Sequence, residues 1–350
     1  MAGCATAHGT DPRNAMNNNS QIQFECGVFT LSIDFELIWG TIAGRGVAAF
    51  RAQCELERQV IIDRLLALLS EFEMPASWLI VGHLLLDNCR VNHQSAQADY
   101  SGKASLECGP ALTDQHYEDN RIFCGRDLVE KIRACRVPQE IGCHTFSHPI
   151  FTEENITRAR AEEELAACVR LADELGIAMQ SFAYPQNKIG HLDLLRQYGF
   201  TCYRGAEWHE SGRLPDILRR LAHLWLVCTA TTPPVHLPEF TKEGIWDIPG
   251  SMLYFPMHGQ RRYLPLSIRV KRAYKGLHAA ASQKRIFHLW FHPTNLADEM
   301  EQMFAGLRLI LEYAAELREK GQLDFKPMGA LVPAQAQSVI APVLATAGVG

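Results

Sequence analysis

The sequence predicts an α/β fold, a single domain rolled into a distorted (β/α)7-type barrel, on three observations. Short apolar runs alternate with amphipathic segments of about 10–15 residues, the rhythm of parallel β/α architecture. Roughly seven such units recur, and no Gly-rich phosphate loop opens a helix, which favours a barrel over a dinucleotide-binding sheet. Polar clusters follow the ends of several predicted strands, where such folds gather their chemistry.

The elements run in order. Phe24 to Ile33 reads as the first strand and leads into Asp34 and Glu36. Arg51 to Glu71 is an amphipathic helix, with Leu56, Val60, Ile61, Leu65 and Leu68 at helical spacing. Ala76 to Val81 is a short buried strand. Asp87 to Gly125, rich in Asn, Gln, Ser, Asp and Gly, then interrupts the alternation; so long a loop is functional or flexible. Arg126 to Cys135 is helical, Glu140 to Cys143 a strand, and Glu153 to Gly176 a long charged helix closed by Gly176. Gln180 to Tyr184 is a strand, Ile189 to Tyr198 a helix ended at Gly199, Phe200 to Tyr203 a strand, and Leu214 to Leu226 a helix. Thr229 to Glu243 is a Pro-rich excursion. Ile245 to Ile248, a helix over Leu266 to Ala281, a strand over Arg285 to Phe291 and a helix over Leu296 to Lys320 complete the body. The domain so drawn covers 24–328 with the insertion 87–125. A polar, Asn-rich leader (1–23) is expected to be disordered, and 329–350 reads as a small-residue tail.

Bulk composition narrows the function. Of 350 residues, 47% are hydrophobic and 21% charged, ordinary for a globular chain with a sizeable core. A net charge of −5 argues against nucleic acid or an anionic membrane surface, since both want a basic face. No run approaches the apolar length of a spanning helix. The polar start lacks the basic and apolar regions of a secretory signal, so a cytoplasmic location is expected. Eleven scattered cysteines, without metal-ligand spacing, then read as reduced thiols and mostly as small buried hydrophobes.

Four clusters could carry chemistry. Asp34 and Glu36 lie two apart, so their carboxylates could face one cavity; plainer is a pair of solvated acids at a strand end. His144 and His148, four apart, could share one face of a helical turn and one metal. Fourteen histidines make such a pair unsurprising, and His288/His292 is another. What lifts the first pair is its place after a strand, beside carboxylates at the same barrel end. Two imidazoles and a carboxylate leave a coordination position open for water, the pattern of a catalytic zinc site. Ser181 to Asn187 and Trp290 to Pro293 leave later strands. Alone, the former is a β–α turn and the latter's His292 a structural histidine.

Taken in order, these clusters resemble the polysaccharide deacetylase family with the NodB homology domain, over roughly Phe24 to Met328. EIGCHTFSH (Glu140–His148) closely resembles its metal-binding motif, FHLWFHP (Phe287–Pro293) its closing histidine motif, IDFE (Ile33–Glu36) its opening aspartate motif and FAYP (Phe182–Pro185) its Pro motif. The Asn187–Gly190 turn and the Asp247–Ser251 segment are similar to members from surface-glycan biosynthesis. The resemblance implies a carbohydrate deacetylase. His144, His148 and Glu36 would hold a divalent cation, zinc first, with cobalt, nickel or iron as alternatives. Asp34 would be the catalytic base and His292 the general acid, with Asp247 orienting His292 and the Gln186 backbone N–H at the oxyanion.

Two departures stand out. The opening acids are separated by Phe35, so base and ligand could be exchanged. Ala183 stands where the Pro motif carries an arginine, so the base should lose a cationic neighbour and be less depressed in pKa. The expected substrate is an N-acylated sugar or glycoconjugate, with Trp246, Tyr254, Phe255 and Trp290 as sugar-stacking or core aromatics. His93, Tyr100, His116 and Tyr117 in the insertion could cap the cleft. Alternatives are a non-sugar amide or cyclic ureide hydrolase, or a non-catalytic carbohydrate-binding relative. Oligomeric state is open.

Overall fold

Side-chain alternation along short strands sets the architecture. In β1 (Gly27–Phe35), Phe29, Leu31, Ile33 and Phe35 join one apolar cluster, and Val28 joins another. Thr30, Ser32 and Asp34 share the parity of Val28, so the strand has a bulky apolar outer face and a small or polar inner one. The same split recurs in β9 (Ile286–Phe291): Phe287, Leu289 and Phe291 lie with the outer cluster and Ile286 with the inner. The structure, a computed structural model, describes residues 22–41, 47–89, 121–207 and 230–332.

The other strands are β2 (Ser77–Ile80), β3 (Glu140–Cys143), β4 (Ser181–Ala183), β5 (Cys202–Arg204), β6 (Glu239–Phe240), β7 (Trp246–Asp247), β8 (Met252–Leu253) and β10 (Leu323–Phe325). Their order is β6-β7-β5-β4-β3-β2-β1-β9-β8, with β10 also on β1. All pairs are parallel except β6 with β7. Residues 248–251 link β7 to β8 and draw the sheet's two sides together. Gly250 N–H donates to Gly205 O at 3.2 Å, and Ser251 N–H donates to His288 O at 2.9 Å. β7 and β8 thus serve as one bent strand in a ring with β1, β2, β3, β4, β5 and β9, the distorted seven-fold barrel expected.

Helices cover the outer face. They are α1 (Val47–Leu56) and α2 (Ile62–Glu71), joined by a π-turn at Glu57–Ile61, then α3 (Arg126–Arg133), α4 (Arg158–Glu174), α5 (Leu192–Gln197), α6 (Leu266–Gln283) and α7 (Met300–Glu319). Two starts differ from the sequence reading for capping reasons. The Thr157 side chain accepts from Arg160 N–H, so the long charged helix begins at Arg158, not Glu153. Pro293–Leu296 forms a 3-10 turn boxed by His292 and Asn295, which delays the last helix to Met300.

Other boundaries need correction. β10 lies where no strand was expected. Residues 329–332 are no loose tail: Met328, Leu331 and Val332 join Val28, Ile286, Leu79, Ala183, Cys202 and Ile248 in the inner cluster and plug the barrel floor. The C-terminal end of the insertion is core, since Ile122 and Phe123 are fully buried. The leader up to 21, the middle of the insertion with His93, Tyr100, His116 and Tyr117, the helix read at 214–226 and the tail beyond 332 lie outside the described residues. The eight described cysteines are free thiols, six of them buried. Among the described residues, no helix is long and apolar enough to cross a membrane.

Candidate active site

β1 ends with its inward acids at the C-terminal mouth of the barrel. Glu36 Oε1 lies 2.9 Å from His144 Nε2, 3.1 Å from His148 Nε2 and 3.3 Å from His292 Nε2. Burial works against its charge, but these imidazoles hold the carboxyl well below the usual range. Gly40 makes room for it: a Cβ there would stand 1.6 Å from Glu36 Oε2.

His144 and His148 meet without a helical turn. Residues 144–148 form an irregular bend in which Thr145 and His148 take positive φ, 61° and 60°. Thr145 Oγ1 donates to His144 O at 2.6 Å and accepts from His148 N–H at 3.1 Å. Fully buried Glu164, from α4, anchors the bend. Its carboxylate accepts from Phe146 N–H (2.7 Å), Ser147 N–H (2.8 Å), Ser147 Oγ–H (2.6 Å) and Arg160. Sequence pattern singles out nothing at Glu164 among the acids of a charged helix.

Asp34 is held differently. Arg204 of β5 grips it with two parallel bonds, 2.7 Å to Oδ1 and 2.6 Å to Oδ2. The guanidinium outweighs burial and holds the carboxyl below its ordinary value. This overturns the loss of a cationic neighbour expected from Ala183. Ala183 is the register partner of Arg204 on the adjacent strand, so the arginine comes from next door and crosses the barrel over a small residue. Arg204 also bonds Ser32 Oγ (3.1 Å) and Asn187 Oδ1 (3.2 Å), and stacks 4.3 Å from the Trp290 ring. Asp34 therefore faces a cation, whereas Glu36 faces imidazoles.

His292, after β9, sits across the mouth, its Nε2 3.8 Å from Asp34 Oδ2. Burial disfavours its imidazolium, but the charges of Glu36 and Asp34 prevail and raise it to about 9. Its Nδ1 faces Asn295 Oδ1 at 3.3 Å, not Asp247. Asp247 as its orienting partner is thus corrected, and strand parity gives the reason. Trp246 and Ile248 turn to the inner cluster, whereas Asp247 turns outward with Tyr203, whose O–H donates to Asp247 Oδ2 at 3.0 Å. Burial raises Asp247 to about 6.

Gln186 directly follows Pro185 with φ 56°, a reversal that turns the backbone at the end of β4. The aromatics resolve mostly as core. Tyr254 and Phe255 are buried, Tyr254 O–H donates to Met303 O at 2.8 Å, and Trp290 N–H donates to Glu207 Oε1 at 2.6 Å. Trp246 keeps some exposure beside Phe240.

Glu36, His144 and His148 offer ligand atoms within 4.8 Å of one another. Their hydrogen bonds leave the three groups aimed at one another, as a shared cation requires. His144 Nδ1 lies 2.8 Å from Ala183 O, which calls for a proton on Nδ1 and leaves the Nε2 lone pair facing a carboxylate lone pair. Two acceptors so placed need a cation between them, either a proton that makes His144 a donor to Glu36 or a metal ion. Asp34, Glu36 and His292 also group within that distance, but both Asp34 oxygens are taken by Arg204. The first set, two imidazoles and a carboxylate, has the donor types of a catalytic divalent-ion site.

No protein-family profile and no curated protein matches the sequence. Solved structures do match. One is a protein from Mycobacterium smegmatis described as a polysaccharide deacetylase: TM-score 0.58, 14% identity, covering 90% of this chain and 94% of the other. Puue allantoinase gives a TM-score of 0.57 at 12% identity over 95% and 99% of the two chains. A protein from Pseudomonas aeruginosa PAO1 described as a polysaccharide deacetylase gives 0.56 at 12% over 90% and 92%. The chain thus has the fold of polysaccharide deacetylases, shared with an allantoinase.

Proposed function

We propose that this chain is a metal-dependent hydrolase that removes an N-acetyl or related N-acyl group from a sugar in glycan or glycoconjugate biosynthesis. The observation that carries it is the division of labour between the two acids: Glu36 faces the histidine pair, while Asp34 is gripped by Arg204 with His292 across the mouth.

A divalent cation held by Glu36, His144 and His148 would supply Lewis acidity, polarising the amide carbonyl and lowering the pKa of a water. The chain's own groups do the rest. Asp34, kept ionised by Arg204, takes the proton of the water that adds to the carbonyl carbon. The Gln186 N–H donates to the oxygen that gains charge. As the C–N bond breaks, His292 gives its proton to the departing nitrogen, and acetate and a free amino sugar remain. Asn295 holds the far side of that imidazole. The same groups would serve a non-sugar amide or cyclic ureide, a second reading favoured by the allantoinase fold likeness.

Metal analysis with a screen of N-acetylated sugars against such amides tests the reading. Replacing His292 by Ala should leave metal content intact and cut turnover by about 10²-fold or more. Loss of metal in that variant would make His292 a ligand and overturn its assigned role.

A further inference from the structure

Behind Asp34 lies a buried polar chain that the chemistry above does not use. Ser32 Oγ accepts one N–H of Arg204 at 3.1 Å and lies 2.8 Å from His288 Nε2. A hydroxyl has one proton to give, and the acceptor set beside it is that imidazole nitrogen. Giving that proton to Nε2 leaves Nε2 bare and puts the ring proton on Nδ1, the tautomer in which Ser32 bonds both neighbours at once. Nδ1 is buried without a hydrogen-bond partner, and the backbone of Ile248 and Pro249 favours a proton on the ring. The residue is rigid: His288 N–H donates to Ser251 Oγ at 3.0 Å, and Ser251 N–H donates to His288 O at 2.9 Å, both across the barrel seam. An imidazolium is disfavoured by full burial and then by the Arg204 charge, which push His288 down to about 3.

Resting on the assignment of Asp34 as base, we propose that His288 and Ser32 are positioning residues for Arg204: a neutral imidazole aims the Ser32 hydroxyl so that its lone pair holds the guanidinium in the plane that grips Asp34. Arg204 is 1% exposed, and its fork is fixed on both flanks of Asp34, by Ser32 on one nitrogen and Asn187 on the other. If the His288 acceptor is removed, the serine proton must turn toward the arginine or lose its partner, and the guanidinium is free to swing. Neither residue touches the reacting atoms.

The test uses the full-length, metal-loaded protein with His288→Leu, His288→Gln and Ser32→Ala. The Leu and Ala variants should keep their metal and KM while kcat falls about 10-fold, the scale of one lost hydrogen bond. Gln, whose amide oxygen can accept from Ser32, should recover most of kcat. Equal losses in Leu and Gln, or a loss seen only in KM or metal content, would overturn the proposal. Nitrogen NMR of the histidine rings in the wild-type protein reads the tautomer without substrate. A proton on Nδ1 and none on Nε2 at neutral pH supports the proposal even if no acetyl group is ever released, in which case the deacetylase reading alone fails. A proton on Nε2 overturns it even in an active enzyme.

Discussion

Arg204 reaches Asp34 across 170 positions of sequence, and its role depends on which strands are neighbours. Ala183 stands where the Pro motif that this sequence resembles carries an arginine. This chain carries an arginine one strand further, at the register partner of Ala183, with its guanidinium on Asp34. Removing one member of a buried pair strands the other, at a cost of about 3–5 kcal/mol. Arg204→Ala should therefore lower both melting temperature and turnover, and adding Ala183→Arg should recover part of each. Thermal melts and acetate release check it; an Arg204→Ala protein with unchanged stability and turnover would show that the pair is idle. The carboxylates and imidazoles were legible in sequence because they sit in short local patterns. Arg204, Ser32 and His288 were not, since their meeting depends on strand order and inward parity.

At the scale of elements, the 144–148 bend brings the two imidazoles to Glu36 by a route their spacing did not suggest. Spacing four apart suggested a helical turn, whereas the chain uses two positive-φ residues and a buried glutamate. Glu164 holds the residues between the two imidazoles and not the rings themselves. Its replacement should therefore act at the low end of the range for groups that orient metal ligands, about 10-fold in metal affinity. Glu164→Gln should weaken cation binding on that scale with the fold intact, measured by titration of metal into the apoprotein; unaltered affinity would reduce Glu164 to packing. The π-turn between α1 and α2 is the other local surprise, since the apolar spacing of 56–68 reads as continuous helix. It places Glu57 fully buried, its carboxyl pushed up to about 8 by burial and then by the charge of Glu36. The folded state therefore binds that proton more tightly than the unfolded chain. Stability should fall as pH rises from the ordinary carboxylate range to about 8 and level off above it. Glu57→Gln should remove this dependence, so its gain in urea midpoint over wild type should be larger at pH 8 than at pH 5. An equal difference at both would show that Glu57 is ionised in the folded protein throughout.

Over the whole molecule, the barrel was legible from alternation of strand and helix, because each β/α unit writes its own periodicity. Its closure was not. The bent β7–β8 strand is two residues on each side of an Ile-Pro-Gly-Ser corner, too short for a pattern, and the floor plug at 328–332 looks like a tail until its apolar residues are seen inside. β9 pairs directly with β1 and closure brings β5 within reach of both, so His292, Asp34 and Arg204 converge on the mouth that holds Glu36, His144 and His148. The most direct test of that convergence is acetate release from N-acetylated saccharides by the purified full-length protein, before and after a divalent-metal chelator. Release should stop on chelation, return on adding zinc, and stay absent in Asp34→Asn with its metal retained. Release that survives thorough chelation, or hydrolysis confined to cyclic ureides, would contradict a metal-dependent sugar N-deacetylase.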